Sequence, residues 1–159
     1  MQRKKFLKLL FIEVLIVSLV SAYFLIDSHD VYRWWAGNTT FTTANPECNL
    51  NVERCETALS DRSHLTLEIE PKPVPLMKPI TFKVTIEDAS LSFIEATLFA
   101  TNMNMGLHTF KLFNKGNGLY EGEGMLPTCI VGNMIWQTNI VLNKPSQSIG
   151  ATFFFQTGK

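Results

Sequence analysis

The chain has 159 residues, enough for one domain of ordinary size and an appendage. Its 14 Lys and Arg balance its 14 Asp and Glu, and no basic run occurs beyond position 8. That excludes nucleic acid as a partner, because binding it takes a clustered basic footprint that releases counterions.

Residues 1–8 are basic (Arg3, Lys4, Lys5, Lys8) and read as a cytoplasmic N-terminus. Leu9 to Ile26 are then almost wholly apolar, with Glu13 the one charge, about a turn past Lys8. As a helix this run rises about 27 Å, close to the roughly 30 Å of a bilayer's hydrocarbon. Basic residues before it and almost none after it predict a single-pass anchor with the C-terminal part exported. Tyr23, Tyr32, Trp34 and Trp35 suit an interfacial aromatic belt. Val20-Ser21-Ala22 would serve as a signal-peptide cleavage site, but Tyr23 to Ile26 carry the apolar run past it. Both readings export the domain, across a bacterial inner membrane into the periplasm.

Residues 27–60 read as a juxtamembrane linker, Gly37 to Glu47 being polar, Thr-rich and without periodicity. In an oxidising compartment Cys48 and Cys55 would close a small local loop, leaving Cys129 as an odd thiol. The alternatives for Cys129 are a buried, inert thiol, a bridge to either of them, and a metal or redox ligand.

From residue 61 to 159 short strand-like runs alternate with turn signals. Leu65–Glu70, Ile80–Glu87, Phe93–Thr101, Leu107–Phe113, Leu119–Met125, Met134–Leu142 and Ile149–Gln156 are the expected strands. Pro71, Pro73, Pro75 and Pro79 exclude helix or central strand between the first two. Seven short strands so spaced predict an all-β, immunoglobulin-like β-sandwich, with Trp136 in its core.

Folding the hairpin about Gly116 sets His108 near Gly124 and Met105 near Pro127, with Met103-Asn-Met105-Gly106 at its open end. Cys129 and Met134 follow at that same end. Met103, Met105, His108, Cys129 and Met134 are therefore expected to converge, and thioether, thiolate and imidazole together suit Cu(I). Each has a plainer alternative: Met134 shares a face with Trp136, and His108 shares one with Phe110 and Leu112. Met77 and His29 have no companions that spacing can place. No Ser/His/Asp arrangement, phosphate loop or zinc-ligand pair is present, so the expectation is a protein that is not an enzyme.

The order Met103-Asn-Met-Gly106, a strand, Gly118-Leu-Tyr120, Gly122, Leu126-Pro-Thr-Cys129 and Met134-Ile-Trp136 resembles small membrane-anchored bacterial proteins of the FixH and YtkA-like kind. The resemblance covers residues 75–142. It implies an exported immunoglobulin-like domain working beside respiratory oxidase assembly or copper supply, with Met103 and Met105 in the site and Trp136 structural. The Leu-Pro-x-Cys element is not a general feature of those families. Two functions follow as expectations. One is a membrane-tethered accessory protein that binds Cu(I) or assists oxidase assembly. The other is a metal-free interaction module that docks on a membrane complex.

Overall fold

A computed structural model of the chain describes all residues except 1, 26–31, 33, 35–36, 88–89, 128–131, 146 and 159, and the side chains at 2–3 and 23–25. Helix α1 runs from Gln2 to Leu25 and precedes nine strands. They are β1 (Thr40–Thr43), β2 (Cys55–Ala58), β3 (His64–Glu70), β4 (Pro79–Ile86), β5 (Phe93–Ala100), β6 (His108–Gly116), β7 (Leu119–Met125), β8 (Met134–Asn143) and β9 (Ser148–Thr157).

Among the described residues no helix is long and apolar enough to cross a membrane. Positions 4–22, where the side chains of α1 are described, hold Lys4, Lys5, Lys8 and Glu13. Any eighteen-residue stretch of them keeps at least Lys5, Lys8 and Glu13. The rest of the apolar run expected as an anchor falls at 23–26, outside the described side chains.

All seven expected strands form, and two more fall in the stretch expected as linker. β1 has four residues, and its one large apolar side chain, Phe41, lies where a Cβ on Gly150 would sit, 2.6 Å away. A strand that short has no periodicity to read; it forms because β9 offers it a parallel edge, Thr40 pairing with Ile149 through Thr43 with Thr152. β2 begins at Cys55, which is bridged to Cys48, and pairs antiparallel with β3.

The strand order is β1-β9-β8-β5-β6-β7-β4-β3-β2, one sheet curled until its edge strands meet, so that it is nearly barrel-shaped. β6 makes the turn from one layer to the other. Its first part pairs with β5, from Leu98 and His108 to Phe93 and Phe113, and its last residues pair with β7. The inner faces follow the period of two: Leu65, Leu67 and Ile69 on β3 and Ile80, Phe82, Val84 and Ile86 on β4 are all buried. Each such side chain adds roughly 1.5–3 kcal/mol of hydrophobic stabilisation. Trp136 lies in this core, its indole N–H donating to Thr157 Oγ1 at 2.7 Å.

β8 departs from simple alternation, because Trp136 to Leu142 are buried on both faces. On its outer face Asn139 Oδ1 accepts from Gln137 Nε2 (3.1 Å) and Thr152 Oγ1 (2.7 Å). These bonds satisfy Asn139 Oδ1, whereas Asn139 Nδ2 and, on the inner face, Thr138 Oγ1 are buried without a hydrogen-bond partner among the described residues.

Candidate functional site

Parts of four connections gather at one end of the sandwich: residues 71–78, 101–107, 126–127 with 132–133, and 44–54 beside them. The β5–β6 connection is held down by Asn102. Its Nδ2 donates to Asn133 O at 2.9 Å, and its Oδ1 accepts from the Ile135 N–H at 3.1 Å. Thr101 N–H adds a bond to Ile135 O at 2.8 Å. One asparagine thus extends the β5–β8 ladder past its last residue pair, and Met103-Asn-Met105 follows directly. Gly106, at φ 79°, turns the chain back into β6.

Met103 and Met105 are half-buried and pack against the core. His108 opens β6 directly opposite Leu98, on the inward face that Phe110 and Leu112 continue. Its Nε2 is buried and has no hydrogen-bond partner among the described residues. A buried ring nitrogen without a partner is uncommon and calls for a water or an ion. Met134 is fully buried at the start of β8, in the core beside Trp136, where its thioether serves as filling. Cys129 lies in 128–131, outside the described residues. Cys48 and Cys55 are joined to each other, so the chain holds no second cysteine for Cys129 to bridge.

The expected hairpin register is corrected by two residues. The turn is at Asn117-Gly118, both at positive φ (51° and 76°), as a tight two-residue hairpin requires. It sets Asn114 opposite Tyr120 and Gly116 opposite Leu119, with a bulge between them. The ladder to β7 ends at Phe113 and Glu121, after which β6 crosses to β5. His108 therefore meets Leu98 and not Gly124.

Spacing left Met77 without companions, and the structure supplies one. The Met77 N–H donates to Leu126 O at 2.8 Å, which ties the Pro-rich crossing to the residue after β7. Next to Leu126, Met125 lies opposite Pro79. Both thioethers face solvent, Met77 at 60% and Met125 at 48% exposure, and Met77 holds a left-handed φ of 54°. Every methionine after Met1 stands at this one end. The signal was unreadable from spacing, because it depends on β4 pairing with β7 across two intervening strands.

Beside this end a cleft of about 300 Å³ opens between the disulfide loop and β9, lined by Pro46, Asn49, Asn51, Ile135, Phe154 and Gln156. Asn51 spans it, Nδ2 donating to Gln156 O (2.5 Å) and Oδ1 accepting from the Val74 N–H (3.1 Å). Among the described residues no group of three or more His, Cys, Asp or Glu is placed to hold a metal ion. A soft-metal site here would rest on thioethers and one imidazole. Comparison of the chain with family models, curated proteins and solved structures finds no match.

Proposed function

We propose that this protein is a membrane-anchored accessory domain that holds Cu(I) at its methionine-rich end and passes it on by ligand exchange. The observation that carries the reading is the buried Nε2 of His108, without a partner among the described residues, at the start of the strand that follows the half-buried Met103-Asn-Met105 connection. A neutral imidazole nitrogen and two thioethers are a donor set that favours Cu(I) over hard cations. The exposed thioethers of Met77 and Met125 offer a first landing place from solvent, and Cys129 supplies a thiolate from the neighbouring connection.

The anchor is α1 with the residue after it. Its large apolar side chains from Phe6 to Val20 are exposed all round, a pattern suited to lipid and not to water. The Lys residues ahead of them favour a cytoplasmic N-terminus and a periplasmic domain, where the Cys48–Cys55 bridge would persist. An immunoglobulin-like arrangement is supported by the strand order, in which β4 pairs with β7 in one layer and β5, β8 and β9 run together in the other. The resemblance of residues 75–142 to FixH and YtkA-like proteins makes a respiratory oxidase the place to look for the acceptor.

Titrating the protein with Cu(I) against a chromogenic chelator tests the reading. One equivalent should be withheld from the chelator, and His108→Leu with Met105→Leu should weaken binding at least about tenfold, a loss of about 1.4 kcal/mol. Unchanged affinity in that variant and in Cys129→Ser with Met105→Leu would sink it.

A second reading, a metal-free module that docks on a membrane complex, has its own support. Met134 is wholly buried, and Met103 and Met105 pack inward. It requires an inaccessible Cys129, whereas a ligand thiol should react readily in the metal-free protein.

A further inference from the structure

Tyr32 stands between α1 and the first strand, in the stretch expected as linker, yet it is only 3% exposed. Its ring lies 6.0 Å from that of Phe41 and 5.6 Å from that of Phe99. Its hydroxyl faces Asn139, the centre of the buried polar group on the outer face of β8, and burial pushes its pKa well above the ordinary tyrosine value. Phe99 and Thr97 on β5 are buried on that same outer face. Two residues on, Trp34 is 87% exposed.

We infer that Tyr32 plugs the juxtamembrane chain into the outer face of the β9-β8-β5 layer, so that this face is held against the lipid surface with Trp34 as its interfacial contact. The inference rests on the anchor reading of α1. Its consequence is a matter of reach. The seven steps from Leu25 to Tyr32 could reach at most roughly 25 Å, whereas a free linker from Ile26 to Glu47 could reach about 70 Å. The start of β8, at the methionine-rich end, lies only about 17 Å along the strand from Asn139. The domain would then present that end at a set height above the bilayer and not sweep a volume. A tryptophan with an apolar body and a polar N–H suits the headgroup layer.

The test uses the full-length protein mixed with phosphatidylcholine vesicles. Flotation reports on the anchor alone. Nitration of tyrosines by tetranitromethane, mapped by peptide mass, reports on the plug. Tyr32 should react at least about tenfold more slowly in the native protein than in urea. Nitration at the unfolded rate would overturn the plug, and because it is read on the wild-type chain no variant has to fold. Tyr32→Ala, checked for native circular dichroism, should be cut by trypsin after Arg33 about tenfold faster, and an unchanged rate also counts against the plug. Brominated lipid should quench tryptophan emission, and Trp34→Phe should remove part of that quenching. No change there overturns the lipid contact while leaving the plug standing. Absence of flotation overturns the anchor and the lipid contact together, and nitration still decides the plug.

Discussion

At the scale of single residues, the groups that matter most are those whose partners lie far off in sequence. Asp61 and Lys144 meet at 2.8 Å, and the Lys144 ammonium, helped by the Ser63 hydroxyl and N–H, holds the Asp61 carboxyl at about 2. A carboxyl with a lowered folded pKa adds stability that is complete above the unfolded value near 4 and is lost as pH falls toward 2. Lys144→Met should therefore be less stable than wild type at neutral pH by about 1 kcal/mol, the pair being partly exposed. The gap between the two melting curves should narrow from about pH 4 and close only below about pH 2, which thermal unfolding across an acid series measures. Gly118 is a different case. A Cβ there would sit 2.1 Å from Ile86 O, at a φ of 76°, while Gly118 O accepts the Ile86 N–H at 2.9 Å. Gly118→Ala should cost at least about 2 kcal/mol in denaturant unfolding, since both the turn and a backbone contact must give.

At the scale of elements, the short N-terminal strands are held by the edges they pair with and by the loops tied down around them. β2 has four residues and starts at a bridged cysteine, and Asn51 inside the bridged loop ties β9 to the Pro-rich crossing. Replacing both Cys48 and Cys55 with Ser should lower stability by about 2 kcal/mol, as expected for closing so short a loop. Hydrogen exchange should speed first in β2 and around Asn51, with β4 and β7 unaffected. β8 shows the same dependence from the other side. Asn139→Ala leaves Gln137 and Thr152 without their acceptor on a buried face, and about 1–3 kcal/mol should be lost. Calorimetry on the intact protein reads that change.

At the scale of the whole molecule, the balance lies between a helix with apolar side chains in the open and a sandwich that buries its own. Phe6, Leu9, Phe11, Val14, Leu15 and Leu19 are each about half exposed or more. A monomer in water would not keep so large an apolar surface uncovered. On the proposed anchor reading, Leu15→Arg with Leu19→Arg should abolish flotation with vesicles, because each charge at the middle of a membrane helix costs about 3 kcal/mol. The sandwich should keep its melting temperature, since α1 adds nothing to its core. A variant that still floats would place the apolar surface of α1 against a partner protein instead.

The sequence by itself determined the seven longer strands, the tight turn region and the core tryptophan. Alternation and turn residues are local, and they survive whatever the strands later pair with. It also indicated that the Met103-Asn-Met105 segment and Met134 would share one end, since strand direction follows from the chain order of hairpins. Only the tertiary structure decided the rest. β1 and β2 exist because neighbouring edges and a disulfide offer partners, which no four-residue pattern encodes. The two-residue register change followed from positive φ at Asn117 as well as Gly118, and the crossing of β6 from β7 to β5 gave His108 Leu98 as its partner. Met77 and Met125 came to the same end as Met103, Met105 and Met134, and Tyr32 packed against the sheet, through contacts between segments far apart in the chain. Contacts of that kind form only where the whole fold has already closed the intervening loops, so their geometry belongs to the assembled sandwich and to no stretch of sequence.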